Sequence, residues 1–379
     1  MQVAPSASVQ YRRVATFGPR IRNMETDAAD GRVTLASVAE EAGVSLSTIS
    51  KVLNGRADVS PPTRARVEQL LTERGYRRRG GGRSESRADL IELVFHELDP
   101  IWSMEVIGGV EQVAKEHGLS VVLTVSGSRH APDPDWIEGV MRRRPVAIVL
   151  VFSELAPEYR ERLHSRAIPF VIVDPAGDPS PDAPSVGSAN WSGGLAATRH
   201  LIELGHTRIA AITGPEDMMC SLARVDGYRS AMNSAGLAID PDWIRFGDFH
   251  VSGGRERARE LLGRDHRPTA IFAGSDMQAL GVMEAARERG IRVPEELSIV
   301  GYDDIPLARW LTPRLTTVHQ PLRRMGEEAA RLAIRLADEL DHEHGATDAP
   351  SGATGSAPTP RMDLATSLVV RESTAPPAG

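Results

Sequence analysis

The chain has 379 residues, 41% of them hydrophobic and 25% charged, which is enough apolar material for more than one packed core. A single cysteine, Cys220, excludes an internal disulfide framework, and no run is apolar enough for a membrane span or signal peptide, so the expected home is the cytoplasm. The formal charge of −7 is uneven: residues 1–90 hold 15 Lys+Arg against 10 Asp+Glu, about +5, which leaves about −12 for the remainder. A basic module on an acidic body fits phosphate attraction confined to one end.

Residues 1–31 show neither helix caps nor an apolar period, and are expected to be a disordered arm or not translated, with Met24 as the alternative start. The pattern then turns helical. Thr34 is an N-cap candidate. Leu35, Val38, Ala39 and Ala42 follow at helical spacing, with Glu40 and Glu41 outward. Gly43 suits the left-handed conformation that ends a helix, and Ser45 starts the next. Residues 46–53 turn Ile49, Val52 and Leu53 inward and leave Leu46, Ser47, Ser50 and Lys51 outward. A recognition helix lays such a face in a major groove, while an ordinary helical hairpin would show it only to water. Ser60-Pro61-Pro62 opens a third helix, residues 63–74, through Val67, Leu70 and Leu71. Gly75 and Tyr76 close the module, and Arg77, Arg78 and Arg79 lead out of it. The bounds are 32–77 for this headpiece and 78–89 for a Gly/Arg-rich hinge linker. Glycines 80, 81 and 82 each disfavour helix by about 1 kcal/mol, so the linker is expected to be a tether, with a degenerate helix that forms only on DNA as the alternative.

Residues 90–374 alternate apolar runs with amphipathic helices, the signature of parallel sheets covered on both faces. Two such series predict two lobes, an N-lobe of about 90–188 and 320–341 and a C-lobe of about 189–319 and 361–374, around a cleft. Ligands collect beyond the carboxyl ends of such strands. The polar residues there are His96, Glu97, Ser153, Asp174, Asp248, Ser275, Asp276, Asp303 and Asp304, with Phe249 beside them. Asp276 also reads as a helix N-cap, and Asp303 with Asp304 as structural or interlobe residues. Residues 342–360 form a low-complexity insertion whose His342, Glu343 and His344 are expected to be solvated loop residues instead of metal ligands. Cys220 is expected to pack. A strand is expected over residues 363–370, and no leucine heptads follow.

These motifs resemble the LacI-type (LacI/GalR) family of bacterial transcription regulators. VTLASVAEEAGVSLSTISKVLNG and VSPPTRARVEQLLTERGY match its headpiece. GHTRIAAITGP, ARVDGYRSAM, GDF, FAGSDMQALGV, ELSIVGYDD and LTTVHQP follow in order through its effector domain, so the resemblance spans residues 33–373. It implies an N-terminal all-α helix-turn-helix headpiece plus a two-lobed α/β effector domain like the type I periplasmic sugar-binding proteins. It implies that Leu46, Ser47 and Lys51 read base edges while Thr34, Ser45, Ser50, Asn54 and Tyr76 hold phosphates or pack the headpiece. Arg77, Arg78 and Arg79 join them as a basic run. Lys51 lacks the bidentate fork of arginine, so a phosphate contact is its alternative. In the body the resemblance assigns effector contacts to Arg224, Asp276 and Asp174 and stacking faces to Phe249 and Trp102; His96 and Ser153, from the strand-end set, complete the expected contacts. The family's hinge helix carries a wedge leucine where this chain has Glu85, which argues against a leucine wedge here.

The function implied is a sequence-specific repressor of carbohydrate-utilisation genes, without cofactor, metal or membrane. A homodimer would bind a pseudo-palindromic operator, with its affinity set by a small-molecule effector, a mono- or oligosaccharide. The dimer contact falls on residues 101–115 and the face around Trp310 and Leu311. A sugar-binding protein without DNA function, and a regulator controlled by a purine or a protein partner, are the alternatives. An enzyme would need a paired acid and base that no single element offers.

Overall fold

The computed structural model describes residues 35–53, 59–73, 87–98, 101–127, 133–151, 155–175, 183–345 and 359–378. The chain divides into two compact units, one ending at Ser84 and the other beginning at Glu85. The expectations for the N-terminal arm, the tether and most of the insertion lie outside the described residues.

The first unit holds α1 (Leu35–Ala42), α2 (Leu46–Leu53) and α3 (Pro61–Glu73). Val38, Ala39, Ala42, Ile49, Val52, Val59, Val67 and Leu71 bury together into its core. Gly43 takes a φ of 68° after α1, and Val44 N–H closes the turn on Ala39 O at 3.0 Å. Ser45 Oγ then accepts from Thr48 N–H at 3.2 Å, the N-cap bond that starts α2. α3 begins two residues ahead of expectation because Pro61 and Pro62 occupy first-turn positions whose N–H groups have no helical partner anyway.

The second unit contains two six-stranded sheets. In the N-lobe, β1 (Ala88–Phe95), β2 (Ser120–Val125), β3 (Pro145–Val151), β4 (Phe170–Val173), β5 (Ser185–Ser188) and β11 (Arg361–Leu364) run in the order β11-β5-β4-β3-β1-β2, all parallel. Helices α4 (Trp102–Glu116) and α12 (Leu322–Gly345) cover one face, and α5 (Pro134–Arg143) with α6 (Pro157–His164) the other. In the C-lobe, β6 (Ile209–Thr213), β7 (Ile244–Phe246), β8 (Ala270–Ala273), β9 (Ser298–Asp303), β10 (Thr316–His319) and β12 (Ser367–Val369) run in the order β12-β10-β9-β8-β6-β7, with β12 alone antiparallel. Its faces are covered by α7 (Asn190–Glu203) with α8 (Met219–Ser234), and by α9 (Val251–Leu262) with α10 (Asp276–Glu288). A short α11 (Leu307–Trp310) follows β9. Strands buried on both faces explain why runs such as PVAIVLV are continuously apolar instead of alternating.

The helix pairs pack so closely that glycine is required at the crossing. A Cβ on Gly194 of α7 would stand 2.2 Å from the carbonyl oxygen of Arg224 on α8. One buried charge interrupts the N-lobe sheet: Glu92, fully buried in β1, accepts from Thr124 Oγ1 at 2.8 Å and Arg143 Nε at 3.0 Å.

Three expectations are corrected. Residues 361–374 do not belong wholly to the C-lobe, and the strand expected over 363–370 is two strands: β11 pairs with β5 in one lobe and β12 with β10 in the other. The break is held at Ala189, whose N–H bonds Leu364 O at 2.9 Å and whose carbonyl accepts from Thr366 Oγ1 at 3.2 Å. Next, α12 continues to Gly345, so positions 342–345 are helical and the insertion starts later than expected. Among the described residues no three His, Cys, Asp or Glu side chains converge as a metal site. Finally, β5, reading SVGS, is a strand that the apolar pattern of the sequence does not predict. Its small residues carry little strand propensity, and the sheet supplies the burial that the sequence does not advertise. No described helix is long and apolar enough to cross a membrane.

Candidate functional site

In the first unit, the outward face of α2 presents Leu46, 55% exposed despite being apolar, with Ser47 and Lys51 also exposed. Ser45 Oγ lies 2.7 Å from Ser47 Oγ and 2.9 Å from Thr48 Oγ1, a hydroxyl cluster at the helix N-terminus. An exposed leucine beside hydroxyls and one cation offers a methyl-contacting and a hydrogen-bonding surface of groove dimensions. Of the other expected DNA contacts, Thr34, Asn54, Tyr76, Arg77, Arg78 and Arg79, and the side chain of Ser50, lie outside the described residues.

In the second unit, a cavity of about 300 Å³ opens between the lobes, beyond the carboxyl ends of both sets of strands. The N-lobe contributes Phe95 from the end of β1, His96 and Glu97 just after it, and Trp102 and Ser103 from the first turn of α4. The C-lobe contributes Pro215, Met218, Cys220, Arg224, Asp248, Phe249, His250, Ser275, Met277 and Asp303. Of the expected effector contacts, His96, Trp102, Arg224 and Phe249 are thus brought together. Ser153 lies outside the described residues.

Two expected contacts stand behind the wall. Asp276 is fully buried; its carboxylate accepts from Thr317 Oγ1 at 2.5 Å and from Ile305 N–H at 2.9 Å, pinning β10 and the β9–α11 turn to the start of α10. Burial lifts this carboxyl to about 8 against those two hydrogen bonds. The N-cap of α10 is Ser275, whose Oγ accepts from Gln278 N–H at 3.0 Å, so the cavity residue at this strand end is one position earlier than expected. Asp174, only 3% exposed at the end of β4, accepts from Asn190 Nδ2 at 3.3 Å and does not line the cavity.

Backbone strain marks the wall. Phe249 and Asp303 hold φ of 66° and 108°, a region that side-chain-bearing residues rarely adopt. Ser275 Oγ donates to Phe249 O at 2.9 Å and fixes that turn. The Phe249 ring lies where any side chain on Gly214 would go, 2.0 Å from a Cβ built there, so this glycine makes room for the aromatic face. Arg224, 3% exposed, lies between two rings, its guanidinium carbon 3.7 Å from the Tyr302 centroid and 5.4 Å from that of Phe249. It donates to Asn190 Oδ1 at 2.9 Å, Gly274 O at 2.5 Å and Gln320 Oε1 at 3.3 Å. Burial alone would lower its pKa, but Tyr302, Cys220, Asp303 and Asp174 outweigh burial and hold it above its ordinary value. Burial, helped by Asp174, pushes the Cys220 thiol up to about 12, so Cys220 serves as apolar wall and not as a thiolate. At the mouth, Glu97 Oε1 lies 3.3 Å from His96 Nε2 and 3.3 Å from His250 Nε2, which brings side chains from both lobes together.

Glu97, Asp248, Ser275 and Asp303 belonged to the strand-end set but not to the expected contacts, and Asp303 was assigned a structural or interlobe role. Phe95, Ser103, Pro215, Met218, His250 and Met277 had no distinguishing signal. They reach the cavity through loop and first-turn geometry that spacing along the chain does not reveal.

A small helical module with an outward reading face, and a two-lobed α/β body with a polar and aromatic cavity at its strand ends, define the class of ligand-responsive DNA-binding regulators. Residues 34–79 match the model of the bacterial regulatory proteins, lacI family, and residues 198–374 that of a periplasmic binding protein-like domain. The chain is 36% identical over 354 residues to the HTH-type transcriptional regulator CelR of Thermobifida fusca, covering 90% of this chain and 98% of that one. It is 37% identical over 306 residues to the ribose operon repressor of Escherichia coli K12, covering 79% and 92%. Against the HTH-type transcriptional repressor PurR of Vibrio atlanticus it is 35% identical over 313 residues, covering 82% and 93%. Among solved structures, a complex of the transcriptional regulator CelR with cellobiose matches with a TM-score of 0.64 at 33% identity, over 90% of this chain and 100% of that one. The lac repressor dimer bound to operator and the anti-inducer ONPF matches with a TM-score of 0.64 at 25% identity, over 91% and 99%. The chain belongs to the lacI family of bacterial regulatory proteins and is a DNA-binding transcription regulator.

Proposed function

We propose that the protein is a cytoplasmic repressor of carbohydrate-utilisation genes whose operator affinity is set by a neutral sugar of disaccharide size held between the lobes. The cavity carries this reading. Trp102 and Phe249 offer faces for the apolar side of a sugar ring, while Asp248, Asp303, Ser275, His96 and Arg224 surround them with partners for hydroxyls. A volume of about 300 Å³ lies at the lower end of small-molecule sites and suits a mono- or oligosaccharide. The relative solved with cellobiose supports the same size class.

Leu46, Ser47 and Lys51 of α2 read the operator, with Ser45 at the helix start. A homodimer would place two such helices on a pseudo-palindrome, as in the relative solved as a dimer on its operator. Apolar side chains available for that contact are Met104 on α4, 57% exposed, and Trp310, 76% exposed. Effector binding acts by differential affinity for two lobe arrangements.

The test is retention of genomic DNA fragments by the purified protein at controlled salt, with cellobiose, ribose and a purine base added separately. One retained fragment whose affinity shifts with cellobiose alone is the expected result. Sugar binding without any retained fragment would favour a sugar-binding protein lacking DNA function, and a response to the purine alone would overturn the effector class.

A further inference from the structure

Helix N-termini converge on a cavity at strand ends, and each carries about half a positive charge, so such a site ordinarily favours an anion. In this cavity the chain's own side chains occupy two of those ends. Asp248 Oδ1 accepts from His250 N–H at 2.9 Å just ahead of α9, and the carboxylate fills the space that a side chain on Gly253 in the first turn would take. Ser275 caps α10. The starts of α4 and α8 also reach the cavity, through Trp102, Ser103, Met218 and Cys220, and their N-cap residues, Ile101 and Met218, supply no side-chain cap.

The side-chain charges oppose an anion. His250 gathers two carboxylates at the mouth: its backbone N–H bonds Asp248, and its Nε2 lies 3.3 Å from Glu97 Oε1 of the other lobe. Asp303 is close enough to Arg224 to help hold its pKa up, and so offsets its charge. Arg224 also has little left for a phosphate. An arginine grips a phosphate through a free planar fork, whereas Arg224 donates to Asn190 Oδ1, Gly274 O and Gln320 Oε1 and lies between two rings. Glu97 and Asp248 therefore stand against two uncapped helix ends of about half a charge each, which leaves the cavity about one charge negative.

We propose that Glu97 and Asp248 are specificity-determining residues that exclude anionic sugars, so that the regulator reads its sugar before any phosphate or carboxylate is attached to it. The inference rests on the sugar effector proposed above and adds the class that the site rejects, sugar phosphates and sugar acids. A neutral hydroxyl can donate a hydrogen bond to either carboxylate, whereas a phosphate, with about −1.5 to −2 charges, is repelled by both. The Glu97 side chain is 54% exposed, so water and salt screen the repulsion and set its scale at about tenfold in affinity for each carboxylate.

The experiment is calorimetric titration of the full-length protein at about pH 8, where imidazoles are neutral. Cellobiose is compared with its phosphate ester, glucose with glucose phosphate and ribose with ribose phosphate, with a purine base alongside. In whichever pair binds, the neutral member is expected to bind about 100-fold more tightly at low salt, with the ratio shrinking as salt rises to about 1 M. Glu97→Gln and Asp248→Asn are each expected to narrow the ratio about tenfold. Glu158→Gln makes the same charge change at an exposed position on α6 and leaves the ratio as it was. A residue with only a structural role would weaken both members of a pair alike. The salt series on wild type supplies a reading should either variant fail to fold. A phosphorylated sugar that binds as tightly as its neutral partner, a ratio indifferent to salt, a ratio that neither variant moves, or one that Glu158→Gln moves as far would overturn this inference alone. Binding of the purine base and of no sugar would overturn the sugar reading and this inference with it.

Discussion

The two lobes share one architecture and treat buried charge differently. In the N-lobe, Glu92 is a local affair: a fully buried carboxylate in β1 meets one hydroxyl and Arg143, whose side chain remains 35% exposed. In the C-lobe, Arg224 is buried, stacked between two rings and bonded to groups on three different segments. A charge that has an exit to water stabilises its own strand, whereas a charge without one fixes the position of everything it touches. The cavity follows the same division. Its N-lobe wall is formed by Phe95, His96, Glu97, Trp102 and Ser103, while its C-lobe wall carries the strained backbone and the internal network.

Three substitutions sharpen or break this contrast. Arg224→Ala leaves Asn190 Oδ1, Gly274 O and Gln320 Oε1 without their donor and is expected to cost about 3–5 kcal/mol in urea unfolding. It is also expected to abolish effector response while the separate headpiece unit still binds DNA; lost DNA binding with response retained would contradict its place in the cavity. Glu92→Ala is expected to cost less, about 1–3 kcal/mol, because Arg143 can turn to solvent once its partner is gone. Equal costs for the two variants would remove the distinction drawn between the lobes. Ser275→Ala removes an N-cap and the bond that fixes Phe249 O, with an expected loss of about 1 kcal/mol in stability and weaker sugar binding, measurable by calorimetry.

The smallest effect is a pH dependence in the C-lobe. His206 is buried against Thr269, Ser298 and Ala375 O. Burial lowers its pKa, with the charge of His200 adding and the Ala375 carbonyl opposing. The native imidazole therefore stays neutral where the unfolded chain takes up a proton. Its contribution is present above the unfolded value of about 6.5 and is lost as pH falls below it. Thermal unfolding of His206→Gln should accordingly fall less steeply than wild type between about pH 7.5 and 5.5; parallel curves would assign the acid sensitivity elsewhere.

Much of the fold was legible because helices and doubly covered strands leave periodic traces. Ile49, Val52 and Val67 mark the inner faces of α2 and α3, and the glycine after α1 announces its turn. The cavity was half legible. Trp102, Arg224, Phe249 and His96 could be placed from strand ends and family motifs, but Asp276 and Asp174 could not be told from true lining residues. A carboxylate just past a strand end looks the same in sequence whether it faces the cavity or a buried N–H group. Only the packing of Ile305 and Thr317 against Asp276 decides which.

The sequence by itself determined the headpiece, the two series of strands and helices, and the ends of the strands where the cavity opens, since all of these follow from local periodicity and turn chemistry. The tertiary structure decided what depends on contacts between residues far apart in the chain. It split the last strand between the lobes, made β5 a strand by burying it, moved the cavity contact from Asp276 to Ser275, and gathered Asp174, Asn190, Arg224 and Gln320 into one hydrogen-bonded cluster. Burial and hydrogen-bond satisfaction are properties of the assembled neighbourhood, so no spacing along the chain encodes them.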